Sequence, residues 1–243
     1  MSRPSGDDTP GAARRTPRTY WVAGAAVLLA LLFAAAATVT AATGDSGGGT
    51  PARTPALHSP DAGFARDMAV HHQQAVEMSF IVRDRTQDEA VRTLAYDIAN
   101  TQANQRGMLL GWLDLWGLPK VVAGEPPMSW MGTSGSEGGH SGHGGDTGHG
   151  AGQAAKPGAL MPGMATKEEL ARLDAASGRD AEVLYLQLMT DHHEGGVAMA
   201  EGCARQCGTP VERELAQGMV DAQRSELTLM ADMLRQRGAA PRG

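Results

Sequence analysis

The chain has 243 residues, a formal net charge of −6 and only 4% aromatic residues. Without a basic patch, that charge argues against a nucleic-acid binder that works by neutralising phosphates. So few aromatics argue against a Trp/Tyr-rich β-sandwich or barrel, and two cysteines are too few for a disulfide scaffold.

Residues 1–19 are polar, carry Arg3, Arg14, Arg15 and Arg18, and read as a cytoplasmic N-terminus. Residues 20–42 read as a transmembrane signal anchor or a signal peptide. From residue 21 to 42 there is no charge, and such a helix is about 33 Å long, enough to cross a bilayer. Arginines before it and Gly44-Asp45 after it place the following domain outside. The run exceeds a usual signal-peptide core, which favours a retained anchor; Thr40-Ala41-Ala42 supplies a cleavage site for the alternative. No cysteine near its end allows a lipoprotein. The expected location is therefore the cell membrane, single-pass with an extracytoplasmic domain, or secreted after cleavage.

Residues 43–60 read as a flexible Gly/Thr/Pro tether. Residues 61–119 form a first helix pair, and residues 120–165 a mobile Gly/His/Met-rich linker without apolar period. Residues 166–238 form a second helix pair, with a five-residue tail after it. Thr166 and Glu169 make a capping-box signature for a short helix ending near Gly178.

An internal repeat organises these pairs. His71-His72 recurs as His192-His193, an offset of 121 that also relates Met68 to Met189, Met78 to Met199, Gln102 to Gln223 and Leu113 to Leu234. Main helices are predicted over roughly 62–84, 88–116, 180–207 and 210–237. The expected fold is all-α, an antiparallel four-helix bundle with pseudo-twofold symmetry.

At 100° per residue, Phe64, Met68, His71, Ala75, Met78 and Val82 share one stripe. Tyr185, Met189, His192, Gly196, Met199 and Cys203 share the matching one. The first histidine of each doublet points into the bundle; His72 and His193 fall at the stripe's edge, within reach of Met68 and Met189. Ala75 and Gly195-Gly196 leave room for an ion or for close helix approach. Imidazole and thioether together suit copper, Cu(I) above all, while zinc is a second candidate for the histidines. A methionine stripe is ordinarily core filling, and a lone core histidine is ordinarily hydrogen-bonded. Recurrence of the doublet in a matching Met-x-x-His-His context is what favours metal. Gln102, Gln223 and Glu226 are placed to hold a histidine tautomer from behind. The sequence argues against a di-iron site, because no Glu-x-x-His lies in any predicted main helix; the one such spacing, Glu137 to His140, falls in the Gly-rich linker.

The linker adds Met128 and Met131, then His140, His143 and His149, then Met161 and Met164, a composition suited to capturing metal on a flexible segment. Its alternative is a solvated linker whose Met161 and Met164 rest on the bundle. Cys203 and Cys207, four residues apart, are candidates for a disulfide outside the cytoplasm, provided the helix end relaxes before Gly208. Soft-metal ligation and two free thiols are the alternatives.

The segment Met-Thr-Asp-His-His-Glu-Gly-Gly-Val-Ala-Met at residues 189–199 resembles the signature of domain of unknown function family 305. Its copy at residues 68–78, the pattern Gln223-x-x-Glu226 and the preceding Met161-Pro-Gly-Met164 fit the same family over residues 61–238. The resemblance implies a ferritin-like four-helix bundle, exported and often associated with copper handling. It maps metal-linked roles onto His71, His72, Met78, His192, His193 and Met199, with Met68 and Met189 adjacent. The first copy departs from the pattern with Gln105 in place of Glu, and the cysteine pair is foreign to it.

The reading is an exported, membrane-tethered copper-binding protein that buffers or ferries the ion. Its partners are a metal ion, the membrane and a copper-transfer partner, and not nucleic acid; any homo-oligomer is left open. Its rivals are a structural or interaction bundle with a His/Met core, and a metal-dependent oxidase on the same scaffold. No carboxylate in the sequence is placed to serve such an oxidase.

Overall fold

The computed structural model describes residues 54–132 and 155–242. The predicted anchor, most of the tether and His140, His143 and His149 lie outside the described residues. Among the described residues, no helix is long and apolar enough to cross a membrane.

The described chain is all-helical. Helix α1 spans Pro60–Arg85, α2 Glu89–Leu115, α3 Lys167–Ala175, α4 Gly178–Gln206 and α5 Pro210–Gln236, with a 3-10 turn at Ser129–Gly132. The four long helices begin and end within two residues of their expected bounds.

Local chemistry sets the ends. Ser59 caps α1 by accepting from the Ala62 amide, and Asp88 caps α2 by accepting from Val91. Thr166 and Glu169 form the full capping box expected of α3. Gly117 follows α2 at φ 66°, a left-handed position that lets the chain turn off the helix.

The α1/α2 and α4/α5 hairpins meet through α1 and α4, with α3 lying on α1 and α4. Two repeat-related carboxylates lock that meeting. Asp61, at the start of α1, accepts from the Gly208 and Thr209 amides in the α4/α5 turn, at 3.0 and 2.7 Å. Glu182, the residue 121 positions on, accepts from the Thr86 hydroxyl in the α1/α2 turn and pairs with Arg237 at 2.7 Å. Each central helix therefore begins beside the other hairpin's turn, so α1 and α4 run antiparallel.

All twelve stripe residues are buried. The histidine layer separates two apolar clusters. One holds Met68, Met199, Cys203, Leu109 and Leu113; the other holds Met78, Met189, Tyr185, Ile98 and Leu234.

The linker expectation needs correction at both ends. Trp130, in the 3-10 turn, is buried edge-on against Phe64 at 5.9 Å, and Met161 and Met164 are buried in the first cluster. Glycines make this possible. A Cβ at Gly63 would stand 2.5 Å from the Trp130 ring, and one at Gly195 would stand 2.2 Å from the Pro162 carbonyl oxygen. Gln74 clamps the returning strand of chain, donating to the Ala165 carbonyl at 2.9 Å and accepting from its amide at 2.7 Å. An aperiodic Gly/Pro segment packs here through its backbone, which hydrophobic periodicity does not register.

Candidate metal centre

All four doublet histidines are fully buried. This corrects the placement of His72 and His193 at an edge. Each central helix has two large neighbours, so its buried arc is wider than one stripe. His71 and His192 face each other where the hairpins meet, ring centroids 3.8 Å apart. His193 turns instead toward its own hairpin partner α5, where Glu226 stands 2.6 Å from its Nε2. His72 lies within reach of the Gln105 side chain of α2, the repeat counterpart of Glu226.

The partners of the other three rings determine their tautomers. His71 Nε2 donates to the Pro162 carbonyl at 3.3 Å, His192 Nε2 to the His71 carbonyl at 2.9 Å, and His193 Nε2 to the Glu226 carboxylate. A carbonyl or carboxylate oxygen only accepts, so in the neutral ring the proton sits on Nε2. In the neutral ring each Nδ1 is then a lone pair, and all three are buried without a partner. Unpaired buried polar atoms are costly and uncommon in a folded protein.

Burial keeps His71, His72 and His192 uncharged. It pushes His71 down to about 4 and His72, with His71 beside it, down to about 3. His192 falls well below the usual histidine range, through burial and then the neighbouring His71 and His193 rings. Neutral imidazole is the form that binds metal.

Thioethers flank the layer on both sides. Met68 and Met199 share one cluster, Met78 and Met189 the other, and all four are fully buried. Met161 and Met164 join the first cluster, beside the carbonyl that holds His71. Met128 and Met131, at the 3-10 turn, pack against this cluster while remaining half-buried. Met161 and Met164 thus sit on the core rather than on a free segment.

The expected roles of Gln102 and Gln223 are not what the structure shows. Both are buried, but neither bonds a histidine ring; Gln102 leaves both amide atoms unpaired, and Gln223 Oε1 presses on Gly196. Positions 105 and 226, almost one turn further along, reach the doublets instead. Gly195 and Gly196 admit the Pro162 backbone and the Gln223 amide, not an ion.

The histidines are not a ready-made trio. Among the described residues, the one set of three His, Cys, Asp or Glu donor atoms within 4.8 Å of one another is Cys203, Cys207 and Glu212. The cysteines form a disulfide, with Cα atoms 4.8 Å apart. Cys207 has left the helix at φ −63° and ψ 136°, as bridging requires. Glu212 and Asp61 were not singled out by sequence. An acidic residue in the first turn of a helix reads as an exposed partner of the helix dipole, and nothing in its spacing signals burial.

The family model described as Domain of unknown function (DUF305) matches residues 61–234, and the chain belongs to this family. A crystal structure of a DUF305 protein from Streptomyces coelicolor, provisionally classed as secreted, is 56% identical, with a TM-score of 0.65 over 77% of this chain and 99% of that one. A DUF305 fragment from Deinococcus radiodurans is 27% identical, with a TM-score of 0.56 over 75% and 99%. CopM in its Cu(I)-bound form is 17% identical, with a TM-score of 0.50 over 72% and 96%, and therefore shares the fold. No curated protein matches the chain.

Proposed function

We propose that this chain is an extracytoplasmic copper-binding protein that buffers or ferries Cu(I). The carrying observation is the set of bare Nδ1 atoms on His71, His192 and His193, with His72 also fully buried, in a layer flanked by Met68, Met78, Met189 and Met199. A soft ion that accepts few ligands fits mixed imidazole and thioether donors. Because no three histidines converge, loading draws donors together by ring and thioether rotation. Glu226 behind His193 holds that ring's tautomer, an arrangement common behind metal-bound histidines.

Two solved relatives support the reading. CopM has been seen in Cu(I)-bound and Cu(II)-bound forms, and the Streptomyces relative is classed, provisionally, with secreted proteins. In this proposal the two hairpins are halves of a ferritin-like antiparallel bundle, and residues 20–42 anchor or export it. Met128, Met131, His140, His143 and His149 offer ions a first capture point, with zinc a weaker competitor there. A copper-transfer partner receives the ion.

X-ray absorption at the copper edge of the Cu(I)-loaded protein tests the ligand set. Nitrogen and sulfur neighbours are expected together, with sulfur lost when Met68, Met78, Met189 and Met199 become Leu. A shell of nitrogen alone overturns the proposal and returns the methionines to core packing.

A further inference from the structure

Away from the histidine layer, Cys203, Cys207 and Glu212 bring one donor atom each within 4.8 Å of one another, all three residues buried. The two sulfurs are joined. Glu212 stands in the first turn of α5 at 0% exposure, its carboxyl facing Asp61. Burial, then the negative charge of Asp61, raises it to about 9, so at neutral pH it is a carboxylic acid whose proton faces Asp61. Asp61 already has the Gly208 and Thr209 amides and does not depend on it to hold the turn. An exposed glutamate would serve the α5 dipole without the cost of burial. The buried one is set against two sulfurs instead.

We propose that Cys203, Cys207 and Glu212 form a redox-gated site for a thiophilic divalent cation of the zinc type. The site is closed while the disulfide stands and opens when an external dithiol reduces it. In that exchange the Cys203–Cys207 bond breaks and a disulfide forms in the dithiol. Two electrons and two protons pass to the cysteines, giving two thiols. Binding of Zn²⁺ then releases three protons, one from each thiol and one from the Glu212 carboxyl. Two thiolates and one carboxylate remain on the ion, a donor set that zinc accepts with a fourth position left for water. Because Cys207 lies beyond the last helical residue, its sulfur can swing away from Cys203 as the bond opens. The site stands apart from the histidine proposal and survives its failure.

The test uses full-length protein, reduced anaerobically with a phosphine and titrated with Co²⁺ as a coloured stand-in for Zn²⁺. Expected is a sulfur-to-cobalt charge-transfer band that saturates at one ion per chain and is bleached by Zn²⁺. It is absent from the oxidised protein and from Cys203→Ser and Cys207→Ser. Histidine ligation gives no such band, which separates this site from the doublets. Glu212→Gln keeps both thiols and binds at least about tenfold more weakly. No band from protein whose thiols react as free overturns the proposal. So does a disulfide that opens only when the chain unfolds. Equal affinity in Glu212→Gln removes Glu212 from the site.

Discussion

His192 donates from Nε2 to the main-chain carbonyl of His71, its counterpart 121 residues earlier, with the two rings 3.8 Å apart. Repeat-related residues touch only near the axis that relates the copies. The layer is not symmetric in its bonds, because His71 donates to Pro162 rather than back to His192. The Met161–Met164 segment therefore replaces one half of what would be a reciprocal pair.

Acid should destabilise the metal-free protein. His71 and His72 titrate at about 4 and about 3 when folded, against 6.5 for the ordinary group. Between those values the unfolded chain binds protons that the folded chain refuses, so stability is complete above about pH 6.5 and falls as pH drops toward 4. His71 alone accounts for a loss of up to about 3 kcal/mol. Urea midpoints at pH 7.5 and pH 5 check this; the variant with all four doublet histidines changed to Ala should show a much flatter profile.

Glu212→Gln should stabilise the oxidised protein. The folded pKa of about 9 lies above the ordinary 4.5, so ionisation favours unfolding increasingly as pH rises through that window. Glutamine avoids this and can still donate to Asp61. A gain of about 1–3 kcal/mol is expected at pH 7.5 and none at pH 4. Thermal unfolding at both pH values measures it, and destabilisation at pH 7.5 would refute the buried acid.

Gly195→Ala places a Cβ 2.2 Å from the Pro162 oxygen, and backbone must move to admit it. Overpacking of this kind costs about 1–3 kcal/mol. Because the same carbonyl accepts from His71, displacing it should also perturb copper affinity. Chemical denaturation and a copper titration of the same variant read both effects.

Glu226→Leu removes the acceptor that fixes His193. Copper affinity should fall about 10- to 100-fold, with the helical content unchanged. An unaltered affinity would mean that His193 is no ligand.

Much of this was legible beforehand because the repeat and the 3.6-residue period act together. Met68, His71, Met78 and their counterparts fall on one stripe, and the capping box at Thr166 announces α3. Burial of His72 and His193 was hidden because a single-face count ignores the second neighbour of a central helix. Gln102 and Gln223 were favoured over Gln105 because exact repetition was the available signal, and the repeat-breaking position, Gln105 against Glu226, is where contact occurs. Docking of Met161 and Met164 on the bundle is one of the two readings the linker allows, and the sequence does not decide between them because the packing runs through glycine contacts and a main-chain carbonyl, neither of which leaves an apolar period.

The most direct test is an anaerobic Cu(I) titration of the protein against a competing chelator, alongside the variant His71, His72, His192 and His193→Ala. Tight binding that this variant abolishes while remaining helical is the predicted result. Binding that survives those substitutions and disappears when residues 133–154 are removed would contradict a copper site in the helical core.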